Sequence, residues 1–78
     1  MDVQGIVNIL NGSGYSIGTG FFTSSNGYIL TCYHVLKLID SIGLNSPISF
    51  KFVASETVHF AVLIAVDKEK DIAILGLL

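Results

Sequence analysis

Several features that mark particular protein classes are scarce or missing in this 78-residue chain. It has four lysines and no arginine, against six acidic residues, and its net charge is −2. A nucleic-acid site needs clustered cations that neutralise phosphates. We therefore expect no nucleic-acid partner.

Cysteine is nearly absent, since Cys32 is the only one and can form no internal disulfide. An oxidising compartment is therefore not indicated. The two histidines and this cysteine do not have the spacing of metal ligands. The sequence predicts no metal site and no cofactor.

Long hydrophobic runs and targeting signals are missing as well. A transmembrane helix needs about 20 consecutive apolar residues, and runs such as Phe60–Val66 are far shorter. The N-terminus, Met-Asp-Val-Gln-Gly, lacks the basic start and long apolar core of a secretory signal. We expect no membrane span, and a chain that is cytoplasmic or already processed.

Apolar residues are abundant for so short a chain. They make up 51% of it, against 13% charged residues, and the mean hydropathy is +0.72. A chain of this length forms one domain near the lower size limit for a single hydrophobic core. We therefore expect part of its apolar surface to meet a partner.

Period-two alternation of short apolar runs, separated by Gly, Asn, Ser and Asp, predicts a mainly β protein. Asn26 and Gly27 tolerate the positive φ of a tight turn and predict a hairpin. The run from Val58 to Val66 is apolar at successive positions and is expected to be covered on both faces. The predicted strands are Gly5–Leu10, Gly18–Thr23, Tyr28–Thr31, Ile48–Ala54, Val58–Val66 and Ile72–Leu78.

A change of period after the third strand predicts a short helix. The apolar residues are then spaced i, i+3, i+4 and i+7, at Val35, Leu38, Ile39 and Ile42. Thr31 is the predicted N-cap and Gly43 the predicted C-terminal stop. His34 then lies in the first turn.

Six short strands and one helical turn suit a closed barrel, because closure removes exposed sheet edges. The sequence therefore predicts an all-β, six-stranded antiparallel barrel, closed or nearly closed, with one short helix after strand three. We expect residues 1–78 to form this single domain.

Two ordered motifs suggest a family. Residues 18–22 read G-T-G-F-F, residues 25–31 read S-N-G-Y-I-L-T, and residues 31–35 read T-C-Y-H-V. Residues 67–75, D-K-E-K-D-I-A-I-L, form the second motif. Together they resemble the N-terminal β-barrel of trypsin-like (chymotrypsin-fold) serine proteases, in the style of the HtrA or Deg group.

The resemblance implies roles for two residues. His34 would be the general base that takes a proton from a nucleophile, and Asp71 would fix its tautomer and stabilise the cation formed. The family places the nucleophile and the oxyanion hole on a second barrel, which is absent from this chain. Ser13 in Asn-Gly-Ser-Gly precedes the histidine and is rejected as nucleophile. We expect no activity from this chain alone.

Other residues have structural interpretations. Cys32 is two residues from His34, so their side chains should diverge in regular structure, and a small buried hydrophobe is favoured over a nucleophile. His59 is interpreted as a surface or satisfied core residue, and Asp67 as a turn carboxylate. Gly18 marks a close approach in the barrel wall.

Two functional hypotheses follow. The favoured one is the N-terminal half of a trypsin-like serine endopeptidase, acting on a peptide or protein substrate together with a second barrel. The alternative is a free-standing barrel that binds proteins or forms a homodimeric scaffold and keeps a relic catalytic pair. A lone regulatory domain with such a pair is a weaker variant.

Overall fold

Six antiparallel strands and one helix form the fold in the computed structural model, which describes residues 3–23, 27–39 and 47–78. The elements in chain order are β1 (Val3–Leu10), β2 (Ser16–Thr23), β3 (Tyr28–Cys32), α1 (Tyr33–Leu36), β4 (Pro47–Phe52), β5 (His59–Asp67) and β6 (Ile72–Leu77).

The strands close on themselves in the order β1-β2-β3-β6-β5-β4. Closure comes from pairing of β1 with β4, in which Val7 lies opposite Phe52. Strand β6 lies between β3 and β5, so the end of β3 is brought beside the start of β6. The predicted six-stranded antiparallel barrel is confirmed.

The barrel interior is filled by alternate residues of the strands, as period-two patterning requires. Ile48 and Phe50 of β4 are buried, and Phe52 of the same strand packs against the core. The buried hydrophobic residues are Val7, Ile9, Leu10, Ile29, Val35, Leu36, Ile48, Phe50, Ala61, Leu63, Ala73 and Leu75.

Strand ends differ from the predicted ones by one or two residues. Strand β2 begins at Ser16, because its backbone pairs with Leu10 even though the side chain is polar. Strand β3 extends to Cys32, which pairs with Ile72. Ladder hydrogen bonds belong to the backbone, so a strand can run past the point where apolar alternation stops.

The prediction that the fifth strand is covered on both faces is wrong within the described chain. Ala61 and Leu63 point into the core, whereas Phe60 is 51% and Ile64 45% exposed. A register shift between Leu63 and Ala65 also interrupts the pairing with β6. The barrel has one interior, so the outward residues of β5 have no layer over them in this chain.

The hairpin between β2 and β3 closes with a positive φ, as predicted. Gly27 has φ 68°, and its N–H donates to Thr23 O at 3.2 Å. Asn26 and the rest of residues 24–26 lie outside the described residues. Glycine adopts this left-handed conformation without the steric cost of a Cβ atom.

The helix differs most from its prediction. It ends at Leu36, and Leu38, predicted to face the core, is 62% exposed because the helical period does not continue that far. Thr31 is not the N-cap, since it lies in β3 and its Oγ1 donates to Thr19 O at 2.8 Å. Ile42 and Gly43 lie outside the described residues. No helix within the described ranges is long and apolar enough to cross a membrane.

Gly18 on β2 makes room for the helix. A Cβ atom there would lie 2.5 Å from Cγ1 and 2.7 Å from Cγ2 of Val35. A close approach at Gly18 is confirmed, but the neighbour is a helix side chain and not the second backbone segment that we expected. Absence of a side chain at Gly18 lets Val35 reach the core and seats α1 against the barrel wall.

We predict that Gly18→Ala destabilises the barrel by about 1–3 kcal/mol, because Val35 must move to accommodate the methyl group. Chemical denaturation measures the change in free energy of unfolding. Gly12→Ala is the matched control, since a Cβ atom there would meet nothing within 4 Å. Equal stability of the two variants would show that Gly18 does not seat the helix.

Candidate active site

Pairing of β3 with β6 creates the site. Cys32, the last residue of β3, lies opposite Ile72, the first residue of β6. The next N–H along the chain, that of Tyr33, donates to Asp71 O at 3.1 Å. These backbone contacts place the start of α1 directly beside Asp71.

Both carboxylate oxygens of Asp71 bind His34. The backbone N–H of His34 donates to Oδ1 at 2.8 Å, and imidazole Nδ1 lies 2.5 Å from Oδ2. The first contact satisfies a free N–H in the first turn of α1, whose N-cap residue Cys32 makes no side-chain cap hydrogen bond. Asp71 therefore caps the helix from the turn that precedes β6 and orients the histidine ring. The two predicted site residues do meet.

The backbone of Asp71 is unusual. Its φ is 58°, the only positive value at a non-glycine residue in the described part of the chain. Aspartate is among the few residues that tolerate this left-handed conformation. The conformation sits at the junction of the 68–71 turn and β6, immediately before the ladder with Cys32 begins.

The hydrogen bonds also affect the acidity of the site. The side-chain hydrogen bond with His34, followed by the backbone hydrogen bond from the same residue, lowers the pKa of Asp71 below its ordinary value of 3.8. Both side chains are accessible, His34 at 66% and Asp71 at 43%. The lowering of the pKa of Asp71 thus comes from directed hydrogen bonds, whereas burial acts in the opposite direction.

The pair has a definite chemical capacity. An ionised carboxylate only accepts hydrogen bonds, so in the neutral imidazole Nδ1 carries the proton. Nε2 then carries the lone pair and can accept a proton from a nucleophile. This is the arrangement that general-base catalysis by histidine needs.

An apolar surface borders the pair. A cavity of about 340 Å³ is lined by Cys32 and Asp71 and by the apolar side chains of Phe21, Leu30 and Ile72, among other residues. Phe21 pairs with Leu30, and Leu30 pairs with Ile74. The outward side chains of β2, β3 and β6 therefore form a continuous apolar row next to the site.

Cys32 is the residue that sequence reasoning missed. It is exposed, and its Sγ, one ring nitrogen of His34 and a carboxylate oxygen of Asp71 all lie within 4.8 Å of one another. The prediction of a buried hydrophobe with a diverging side chain is wrong, because the chain changes from strand to helix between Cys32 and His34.

The remaining candidates lie away from this pair or have local partners. Ser13 is in the β1–β2 loop, where its N–H donates to Asn11 Oδ1 at 2.9 Å. Asp67 accepts a hydrogen bond from the Lys70 N–H at 3.1 Å, which confirms its interpretation as a turn carboxylate. His59 stacks on Phe50 with ring centroids 5.4 Å apart.

Comparison with protein families identifies the fold. Residues 18–77 match the trypsin-like peptidase domain. The chain belongs to this family. The match includes both members of the His34–Asp71 pair and every strand from β2 onward, and it confirms the resemblance deduced from the motifs.

Two relatives are similar to this trypsin-like domain. One is the uncharacterized protein y4bJ of Sinorhizobium fredii, 34% identical over 64 residues, which cover 82% of this chain and 9% of that protein. The other is a probable periplasmic serine endoprotease DegP-like of Rickettsia conorii, 33% identical over 58 residues, covering 69% of this chain and 11% of that protein. The chain thus spans about a tenth of the length of these relatives.

We predict that Asp71 makes the trypsin-like domain acid-sensitive. The pKa of Asp71 in the folded state lies below 3.8, so as the pH falls the unfolded state binds the proton first. The contribution of Asp71 to the free energy of unfolding is therefore present above pH 3.8 and is lost as the pH falls through the folded-state pKa. Asp71→Asn should therefore flatten the acid limb of a stability–pH profile from denaturant unfolding. Glu69→Gln is the charge-matched control. An unchanged acid limb in Asp71→Asn would contradict the prediction.

Proposed function

We propose that this trypsin-like domain contributes His34 as general base and Asp71 as its orienting partner to a serine endopeptidase that hydrolyses peptide bonds. The observation that carries the proposal is the double contact of Asp71 with His34, through the backbone N–H and ring Nδ1. Membership of the family supports the class of reaction.

The contacts suggest how the pair would work. Nε2 of His34 removes the proton from the nucleophile hydroxyl as that oxygen attacks the peptide carbonyl, and later gives the proton to the leaving amine. Asp71 remains ionised, holds the proton on Nδ1 and stabilises the imidazolium formed between these steps. No cofactor takes part in this proposal.

The proposal assigns the nucleophile and the oxyanion hole to a second barrel. The chain covers only about a tenth of its relatives, and the apolar row beside Asp71 offers a surface on which a second barrel can pack. On this view the substrate lies between the two barrels, and residues 1–78 alone hydrolyse nothing, since the members of such a unit act together.

A second candidate function is a homodimeric or protein-binding scaffold with a relic pair. It is favoured by the outer face of β2, β3 and β6, where Phe21 is 46% and Ile72 41% exposed. Isolated apolar residues on a surface are ordinary, but a continuous patch indicates an interaction surface. A second copy would cover the face that the first proposal gives to a second barrel.

A cytoplasmic location and the lack of a nucleic-acid partner stay predictions.

We predict that the full-length protein reacts with a fluorophosphonate probe and cleaves a casein substrate, and that both depend on the pair. His34→Ala should lower kcat by about 10⁶, and Asp71→Asn by about 10⁴ because the ring loses the tautomer that can accept the proton. Probe labelling followed by gel fluorescence, with hydrolysis rates in parallel, gives the measurement.

His59→Ala is the matched histidine control for this experiment, because His59 stacks on Phe50 and has no contact with Asp71 among the described hydrogen bonds. It should retain the labelling rate of the unchanged protein. Labelling that survives His34→Ala at full rate would refute the proposed role of His34. Absence of any probe-reactive serine would favour the scaffold.

The scaffold makes its own prediction, which concerns the isolated chain. Light scattering coupled to size exclusion should then give twice the 8.4 kDa chain mass, and Phe21→Lys should restore the monomer by placing a charge in the contact. The exposed Val53→Lys is the control, since Val53 lies outside the apolar row. A monomer for the unchanged chain at all concentrations would exclude the homodimer.

A further inference from the structure

Three different metal-ligating side chains converge at the start of α1. Among the described residues, one group of three could ligate a metal ion together. It consists of Cys32, His34 and Asp71, and one sulfur, one nitrogen and one oxygen atom of these side chains lie within 4.8 Å of one another. The proposed peptidase chemistry uses His34 and Asp71 but gives no role to the cysteine. The presence of an exposed sulfur at this point needs its own account.

We propose that Cys32, His34 and Asp71 form a binding site for Zn²⁺, and that occupancy of this site blocks His34 as a general base. Zn²⁺ takes sulfur, imidazole nitrogen and carboxylate oxygen as ligands in tetrahedral sites. Three protein ligands leave a fourth position for water. The inhibitory consequence rests on the proposed function, whereas the binding does not.

The distances suit this ion after a small side-chain adjustment. Bond lengths of about 2.0–2.3 Å in a tetrahedral zinc site place the ligand atoms roughly 3.5 Å apart. The three atoms lie within 4.8 Å of one another, and the 2.5 Å contact between His34 Nδ1 and Asp71 Oδ2 opens to this spacing when Zn²⁺ takes the place of the Nδ1 proton. All three side chains are accessible, so rotation about their own bonds can make the adjustment. The thiol proton of Cys32 goes to solvent when the sulfur becomes a zinc-bound thiolate.

The backbone holds the three ligands on one scaffold. Cys32 is paired with Ile72 in the β3–β6 ladder, and the N–H groups of Tyr33 and His34 both donate to Asp71. Two chain segments that are distant in sequence are thus fixed side by side before any ion binds. Preformed ligand positions reduce the ordering cost of binding.

The ligand set also selects among cations. Asp71 is the sole carboxylate in the group, and Ca²⁺ or Mg²⁺ needs several oxygen ligands. A thiolate–imidazole–carboxylate site therefore favours Zn²⁺ over hard cations.

Coordination of the ion by His34 removes the basic lone pair of its ring. Asp71 lies on the Nδ1 side of the imidazole, so an ion that both residues bind is held by Nδ1. If Zn²⁺ binds Nδ1, the neutral ring carries its proton on Nε2 and has no acceptor there. The metal site and the general base are therefore mutually exclusive states of the same imidazole.

Isothermal titration of the full chain with Zn²⁺ tests the binding. We expect one ion per chain, and an affinity at least about tenfold weaker in Cys32→Ser, while His59→Ala leaves it unchanged. With Co²⁺ as a spectroscopic substitute, the thiolate-to-cobalt charge-transfer band should appear in the unchanged chain and vanish in Cys32→Ser. Circular dichroism establishes that each variant is folded.

Absence of Zn²⁺ binding, an unchanged affinity in Cys32→Ser, or an equal loss in His59→Ala would each overturn the inference. The effect of Zn²⁺ on the proposed activity is tested on the full-length protein, by measuring the rate of fluorophosphonate labelling with and without Zn²⁺. The factor by which Zn²⁺ slows labelling should be at least about tenfold smaller in Cys32→Ser than in the unchanged protein. Zinc binding without any labelling would leave the metal site standing and refute the proposed function. Labelling without zinc binding would leave the proposed function standing and refute the metal site.

Discussion

The structure of the site depends on one carboxylate that makes two contacts. Asp71 Oδ1 accepts the backbone N–H of His34, and Oδ2 lies against its ring nitrogen. Because α1 is a single turn without a side-chain cap of its own, the first contact gives the helix its start. Asp71 thus fixes both where the helix begins and how the ring of His34 is oriented, so the two features are coupled through one side chain.

Barrel closure makes this contact possible. Strand β6 pairs with β3 in a register that sets Cys32 opposite Ile72, so the residue before β6 meets the residues after β3. A shift of one residue in this ladder would turn every side chain of β6 to the opposite face. Ala73 and Leu75 would then leave the core, which ties the geometry of the site to the packing of the whole barrel.

The sequence predicted the features that follow from repeated patterns. Alternation of apolar residues located all six strands, and the flanking motifs located His34 and Asp71, because burial on one face imposes a period that can be read directly. The cap of α1 could not be predicted in this way. Thr31 has the right residue type, but its hydroxyl donates to Thr19 O across the barrel wall, and the actual cap is Asp71, from a turn distant in sequence.

The other errors have similar physical causes. Cys32 was expected to point away from His34, yet the change from extended to helical backbone between them brings both side chains to one side, and spacing rules hold only within one regular element. The outer face of β5 is as apolar as a buried strand, although the barrel itself covers only its inner face. An apolar pattern indicates that a surface is suited to burial, but it does not indicate whether the same chain or a partner buries it.

In the proposed peptidase, the solvent exposure of the His34–Asp71 pair depends on whether the apolar row beside it is covered. With His34 66% and Asp71 43% exposed, water competes for their hydrogen bonds and the high dielectric weakens the effect of the carboxylate on an imidazolium. A body that packs on Phe21, Leu30 and Ile72 would exclude water next to Asp71, so the same contact would bury apolar surface and strengthen the ion pair. On this reasoning the barrel supplies the geometry of the histidine by itself, whereas the strength of the electrostatic support depends on what covers the row.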